Sequence, residues 1–368
     1  MIHTGSNSLC EIYFAMKITV SYFIIAVIFI SCSDDIVLNN NPENVFRTFW
    51  KSMNERYVNF DTNDINWDSV YLAYYPKVQV MQNDTELIPV FKEILDSLKD
   101  KHIAIVMNNK KYISYNDIDL LRSVDVVSPT RYKFESIEPY IFKNGFFIYQ
   151  SVLRNYIYID LIGFFESFNI ELLKSEIKKL NYSKGIIFDV RGNSGGYFEF
   201  PLEIISWLYK GEKTLFYQSV KKSPKRNDFS IPKPFEYTGI GLIPDTIPII
   251  LLTNPITYSA ANSFSYILQE FPNCITVGLP TGGGDGPIHS ELLPNGWSLQ
   301  YPYFRNYSLK GDRFEYKLFP NYYVDYSNVA IYINEIYSYY HDDQFIKALC
   351  LLDSINKYPY TDYKKIWN

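Results

Sequence analysis

Two short, largely apolar runs, each leading straight into a turn and then a helical pattern, constrain this chain more than anything else. Gly185-Ile186-Ile187-Phe188-Asp189-Val190 runs into Arg191-Gly192-Asn193-Ser194-Gly195-Gly196, and a helical pattern follows near Phe200–Tyr209. Ile247 to Thr253 runs into Asn254-Pro255-Ile256-Thr257-Tyr258, and a helical pattern follows over Ser259–Glu270. Cys274–Gly278 is a third run of the same kind. A strand apolar on both faces is buried on both, which is the habit of parallel strands covered by helices. Phe147–Tyr149 and Tyr156–Ile162 also read as strands, and Phe168–Leu180 as an amphipathic helix. The alternation predicts an α/β core with a largely parallel sheet flanked by helices.

The part before this core has a different period. Val45, Phe46, Phe49, Trp50, Met53 and Tyr57 fall on one helical face between Glu43 and Tyr57. Leu87, Val90, Phe91, Ile94, Leu95 and Leu98 form a second stripe between Thr85 and Lys99, with Asp84 placed to cap it. The expected organisation is a small helical N-terminal domain over 43–102, a short linker or cap over 103–146, the core over 147–350 and a tail over 351–368.

The first 42 residues carry an address. Met16-Lys17 precedes an apolar run from Tyr22 to Ile30 and then Ser31-Cys32-Ser33-Asp34-Asp35. A short basic start, an apolar stretch and a small residue before the cut describe a signal peptide. Cys32 directly after Ser31 resembles a bacterial lipobox, so 1–32 is expected to be a lipoprotein signal starting at Met16, and 33–42 a tether. That places the mature protein in the bacterial cell envelope, periplasmic or surface-exposed, held to a membrane by lipid. A plain signal peptide or an anchor helix is the alternative.

Composition excludes several classes. Apolar residues make up 47% of the 368-residue chain and charged ones 20%, so a large core can form. Net charge is −5 with no long basic run, so no nucleic-acid partner is expected. The four His are scattered and no Cys/His group has zinc spacing, so no metal or other cofactor is expected. Cys274 and Cys350 read as separate core residues, with a disulfide between them in an oxidising compartment as the alternative. The 34 Tyr and 26 Phe are spread along the chain, which suits an ordinary aromatic core better than a sugar-binding platform.

Three places carry candidate chemistry. The glycine-rich turn after Asp189 can present backbone N–H groups to a ligand, yet it is not a phosphate-binding Walker loop, because no Gly-Lys-Ser/Thr follows. Ser259 opens a helix, where it is either an N-cap or a nucleophile favoured by free N–H groups and the helix dipole. His102 ends the second helix in Asp100-Lys101-His102. By spacing alone each has a structural explanation.

In this order the three sites resemble the tail-specific (C-terminal processing) peptidase family, which includes the tricorn core and the interphotoreceptor retinoid-binding proteins. The matching elements are Asp189-Val190-Arg191-Gly192-Asn193-Ser194-Gly195-Gly196, Thr257-Tyr258-Ser259-Ala260-Ala261-Asn262 and Val277-Gly278-Leu279-Pro280-Thr281-Gly282-Gly283-Gly284. A leader from Phe49-Trp50 to His102 matches as well. The resemblance implies a serine peptidase acting on peptides or unfolded protein tails, with Ser259 as nucleophile. One branch of the family uses a Lys base in a glycine-flanked element, and Gly282-Gly283-Gly284-Asp285-Gly286 has none. The tricorn-like branch takes its base from the leader, here His102. The resemblance also implies Glu315 as the acidic partner, the Ala260 amide as one oxyanion donor, and Gly195 or Gly196 as the other.

The chain departs from that pattern twice. Lys101 stands where the tricorn core has a Ser, beside the base. The segment 103–145 is too short for the PDZ domain many members carry. An inactive peptide- or apolar-ligand-binding lipoprotein on the same scaffold is the alternative function. A glycoside-acting protein is a weaker third, because no carboxylate pair stands out.

Overall fold

A computed structural model describes residues 41–62, 65–107, 112–115, 141–143, 145–150, 154–179, 184–325 and 342–358. The signal, lipidation and tether expectations at 1–40 lie outside the described residues. Among the described residues, no helix is long and apolar enough to cross a membrane.

The leader holds α1 (Pro42–Arg56), α2 (Trp67–Val78) and α3 (Leu87–Leu98). Asn41 and Asn66 cap the first two by accepting the amides of Asn44 and Ser69. Asp84 does not cap α3; it begins a 3₁₀ turn over Asp84–Glu86 that feeds the helix. After α3 come the short strands β1 (Ala104–Val106) and β2 (Tyr112–Ser114).

The core follows as β3 (Ile141–Lys143), β4 (Phe146–Gln150), β5 (Tyr156–Leu161), α4 (Ile170–Lys179), β6 (Gly185–Asp189) and α5 (Glu199–Ser206). A long hairpin of β7 (Lys210–Val220) and β8 (Lys233–Ile240) comes next, then β9 (Ile249–Thr253), α6 (Ala260–Gln269) and β10 (Cys274–Gly278). The chain continues through β11 (Ile288–Leu292), β12 (Ser298–Pro302), β13 (Phe304–Tyr307), β14 (Tyr322–Tyr323) and α7 (Asp343–Ile355).

The main sheet has the order β14-β10-β9-β6-β5-β4-β3. The five strands from β14 to β5 are parallel, and β4 and β3 add antiparallel pairings at one side. Strand alternation divides its side chains between two cores. Ile157, Ile159, Ile186, Phe188, Ile249 and Leu251 face α4, α5 and α6, whereas Tyr158, Ile187, Ile250, Leu252 and Val277 face α7. The apolar runs that looked uniform in sequence are uniform because both faces are covered.

Three expected boundaries move. Helix α7 crosses the predicted core end at 350, and Leu352 within it is fully buried, so the core continues past that point. The core also begins before 147, at β3 and β4. Finally, the leader is not closed at 102. Its apolar cluster is completed by Ile103, Ile105 and Ile113 and by Leu293, Trp297, Leu299 and Tyr301, because β1 pairs antiparallel with β12. Three amphipathic helices need a further apolar surface to cover, and strands β1, β2 and β12 supply it. Arg305 reinforces the joint by donating to the Val58 carbonyl (2.9 and 2.5 Å) and to Asp61 (2.8 Å), while Arg313 bonds Asp61 (2.9 Å) and Asn59 (2.7 Å).

Candidate active site

Parallel strands end together, so the turns after β6 and β9 lie at one edge of the sheet, the edge where α/β proteins build sites. Side chains staple the two turns to each other. Asn254 Oδ1 accepts the amides of Gly192 (3.1 Å), Ile256 (3.0 Å) and Thr257 (3.2 Å). Thr257 Oγ1 donates to the Val190 carbonyl (2.9 Å) and accepts the Asn254 amide (3.1 Å). The Tyr258 amide then reaches the Asn193 carbonyl (3.1 Å) and the Ser259 amide reaches the Gly283 carbonyl (3.1 Å).

This frame holds Ser259 at φ 55° and ψ −125°, a strained conformation that a non-glycine residue keeps only when its surroundings impose it. Its side chain makes no capping bond. Instead Oγ lies 2.8 Å from His102 Nε2, across 157 residues of sequence.

His102 is placed by the end of α3. Lys99 closes that helix in the left-handed region (φ 52°) and turns the chain back. Asp100 Oδ1 accepts the His102 amide (2.7 Å), and Asp100 Oδ2 accepts the Tyr57 hydroxyl (2.8 Å). The ring packs on Tyr258, with centroids 4.9 Å apart. Burial lowers the imidazole below its ordinary value, and the Asp100 charge opposes this in part. His102 is therefore neutral at neutral pH and can accept a proton from Ser259. The Lys101 ammonium lies over the Tyr258 ring, 5.4 Å from its centroid. It rides on the tyrosine face, a cation–π contact, and the aromatic ring carries the charge that sequence placed beside His102.

Glu315 is near but not in the expected contact. His102 Nδ1 and Glu315 Oε2 are both buried without a hydrogen-bond partner, so no direct bond from Glu315 orients the imidazole. Glu315 shares a separate pocket of about 280 Å³ with Asp100, Lys101 and Tyr258. Burial, then the charges of Asp100 and Asp285, push its carboxyl well above the usual carboxylate range, and Arg313 opposes them. The residue that does hold the His102 segment is Asp100, with Tyr57 behind it. The Asp-x-His spacing was visible in the sequence, but Tyr57 read only as a core position.

The amides expected as oxyanion donors differ in their engagement. The Gly195 amide donates to Asn193 Oδ1 (2.8 Å), so it is already engaged. The amides of Gly196 and Ala260 have no acceptor among the described residues, and both residues line one cleft with Ser259. Gly195 presses on Ser259 instead: a Cβ there would come within 2.7 Å of the Ser259 Cβ and 2.9 Å of the Ala260 nitrogen. Asn193 also donates to the Leu161 carbonyl (2.8 Å), tying the loop to the end of β5.

Asp189 and Arg191, although part of the same loop, are structural. Arg191 is buried, contacts Asp189 (2.6 Å) and Asp342 (2.7 Å), and so ties the loop to the start of α7. Cys274 is a buried free thiol, and Cys350 is half-buried.

Comparison with known proteins agrees with this architecture. Residues 155–324 match the model of peptidase family S41, and residues 38–96 match the tricorn protease C1 domain. A solved structure of a candidate peptidase from Parabacteroides merdae is 25% identical, with a TM-score of 0.71 over 85% of this chain and 96% of that one. A lipoprotein from Streptococcus agalactiae shares the fold at 14% identity and TM-score 0.56, covering 85% of this chain and 96% of its own. Mature CPAF shares it at 10% identity and TM-score 0.60, covering 87% and 98%. The fold is an α/β core with a helical leader, and the core's match is to a family of peptidases. Residues 155–324 form a domain of the peptidase family S41 type, and residues 38–96 one of the tricorn C1 type.

Proposed function

We propose that this protein is a serine peptidase in which Ser259 attacks the peptide carbonyl, His102 takes its proton, and the Ala260 and Gly196 amides receive the oxyanion. The observation that carries this reading is the 2.8 Å contact between Ser259 Oγ and His102 Nε2, made by a serine in a strained turn at a helix N-terminus. The steps follow the usual acyl-transfer order. The hydroxyl proton moves to Nε2 as Oγ bonds the carbonyl carbon, the imidazolium returns it to the leaving amine, and water then hydrolyses the acyl-enzyme through the same base. Treatment with diisopropyl fluorophosphate labels the wild type on Ser259 and leaves Ser259→Ala unlabelled. Peptide turnover falls by several orders of magnitude in that variant. A wild type that neither labels nor cleaves any peptide rejects the reading.

The competing carrier reading draws on the unpartnered His102 Nδ1, since a base without an orienting acceptor is a weaker catalyst. An apolar ligand that co-purifies, with binding unchanged in His102→Ala, favours the carrier.

Export as a lipid-anchored envelope protein rests on residues 16–35. Intact mass of the membrane-bound protein is expected to show a diacylated Cys32 as the first residue. An unmodified mature N-terminus elsewhere would sink the anchor.

A further inference from the structure

The cleft that contains Ser259 has a volume of about 800 Å³, within the usual range of ligand sites. Its walls are aromatic. Phe216 of β7 and Phe235 of β8 stack with centroids 4.4 Å apart, and Phe198 meets Phe216 edge-on at 6.0 Å. Phe304 of β13 also lines the cleft. At the same opening Phe165 and Tyr197 are each 51% exposed and Ile288 is 47% exposed. Large apolar side chains left in water around one opening mark a place where something apolar is received. Among the lining residues only Glu199 carries a charge.

We propose that this cleft selects a large apolar side chain, aromatic above all, on the residue whose carbonyl Ser259 attacks. The inference rests on the hydrolase reading of Ser259 and adds its substrate class. The reason is positional. Ser259, Ala260 and Gly196 line the same cleft as the phenylalanines. The carbonyl oxygen held by those two amides belongs to the residue whose Cα is one bond away. The side chain on that Cα is therefore the part of the substrate nearest the aromatic walls. A phenyl ring there exchanges water for aromatic contact on several sides, whereas a carboxylate loses its hydration with no cation on the walls and an ammonium finds Glu199 as its one countercharge.

The test uses the mature protein and fluorogenic peptides that differ only in the residue before the scissile bond: Phe, Leu, Ala, Lys or Asp. Labelling of Ser259 by diisopropyl fluorophosphate is run alongside. Phe is expected to exceed Ala in kcat/KM by on the order of 10- to 100-fold, with Leu close to Phe and both charged residues below Ala. Phe235→Ala and Phe304→Ala are expected to shrink the Phe-over-Ala ratio to a few-fold. A ratio between two substrates is unaffected by any loss of folded protein. An enzyme that labels at Ser259 yet cleaves all five alike, prefers a charged residue, follows the residue after the bond, or cleaves none of the five overturns the inference and leaves the hydrolase reading standing. A wild type with neither labelling nor cleavage removes both.

Discussion

At the scale of single residues, Ser259 and His102 changed meaning when their partners became visible. Ser259 occupies the N-cap position of α6 without capping it. Its neighbours in sequence could not show this, because the cap and the nucleophile call for the same residue type at the same place. The Asp100 clamp leads to a prediction about pH. Burial holds the folded-state value of His102 below its ordinary one, and the Asp100 charge raises it part of the way back. In the proposed mechanism the rate needs the neutral ring, so kcat/KM is expected to fall as pH drops through that lowered value, on the acid side of the ordinary histidine range near 6.5. Asp100→Asn keeps the oxygen that accepts the His102 amide but removes the charge, which disfavours the imidazolium. Its acid limb should move to lower pH, and a shift of the kcat/KM profile to higher pH would contradict the account.

At the scale of elements, the loop after β6 works because one glycine is pressed into it. Gly196 has φ +131°, and a Cβ on it would lie 2.1 Å from the Phe164 carbonyl oxygen. The Tyr197 amide bonds that same oxygen at 2.7 Å, so the two backbones are locked at this spacing. In Gly196→Ala the loop must withdraw, carrying its amide away from the cleft. Misplacing one oxyanion donor is expected to lower kcat by about 10²–10³-fold with a much smaller change in KM. The strained backbone itself should cost about 1–3 kcal/mol of stability in denaturant unfolding. Wild-type kcat in Gly196→Ala would show that the amide serves no catalytic purpose. The sequence showed that this loop needed glycines. It did not show which amide was left to donate, because Asn193 consumes the Gly195 amide through its own side chain.

At the scale of the whole molecule, the distance between His102 and Ser259 is bridged by strands that the leader and the core share. β1 begins two residues after His102 and pairs with β12, so the leader cannot move away without breaking that ladder. Leu299 of β12 is fully buried in the leader's own cluster. Leu299→Ala is expected to cost about 2–5 kcal/mol. Calorimetry should record one transition at lower temperature, not an early loss of the leader alone. Activity should fall in step, because His102, the proposed base, is carried on the same ladder. Two separated transitions would mean that the leader is an independent domain and that the boundary at 102 was right after all.

The sequence by itself determined the elements of this protein. Apolar runs bounded by glycine or Asn-Pro turns located β5, β6, β9 and β10, and helical stripes located α1, α3, α4 and α6, since these depend on local period and on burial of whole faces. Ordered motifs then pointed to Ser259 and His102 as candidates. The trace of β1, β2 and β12 was weak: each is short, and its pairing joins segments nearly 200 residues apart. Only the tertiary structure decided that the leader is completed by β12 and the residues before it, which lie beyond Ser259 in sequence. It alone showed that Asp100, not Glu315, holds the His102 segment, and that the site opens into an aromatic cleft. Those facts depend on which distant segments share a surface, and local propensity carries no information about that.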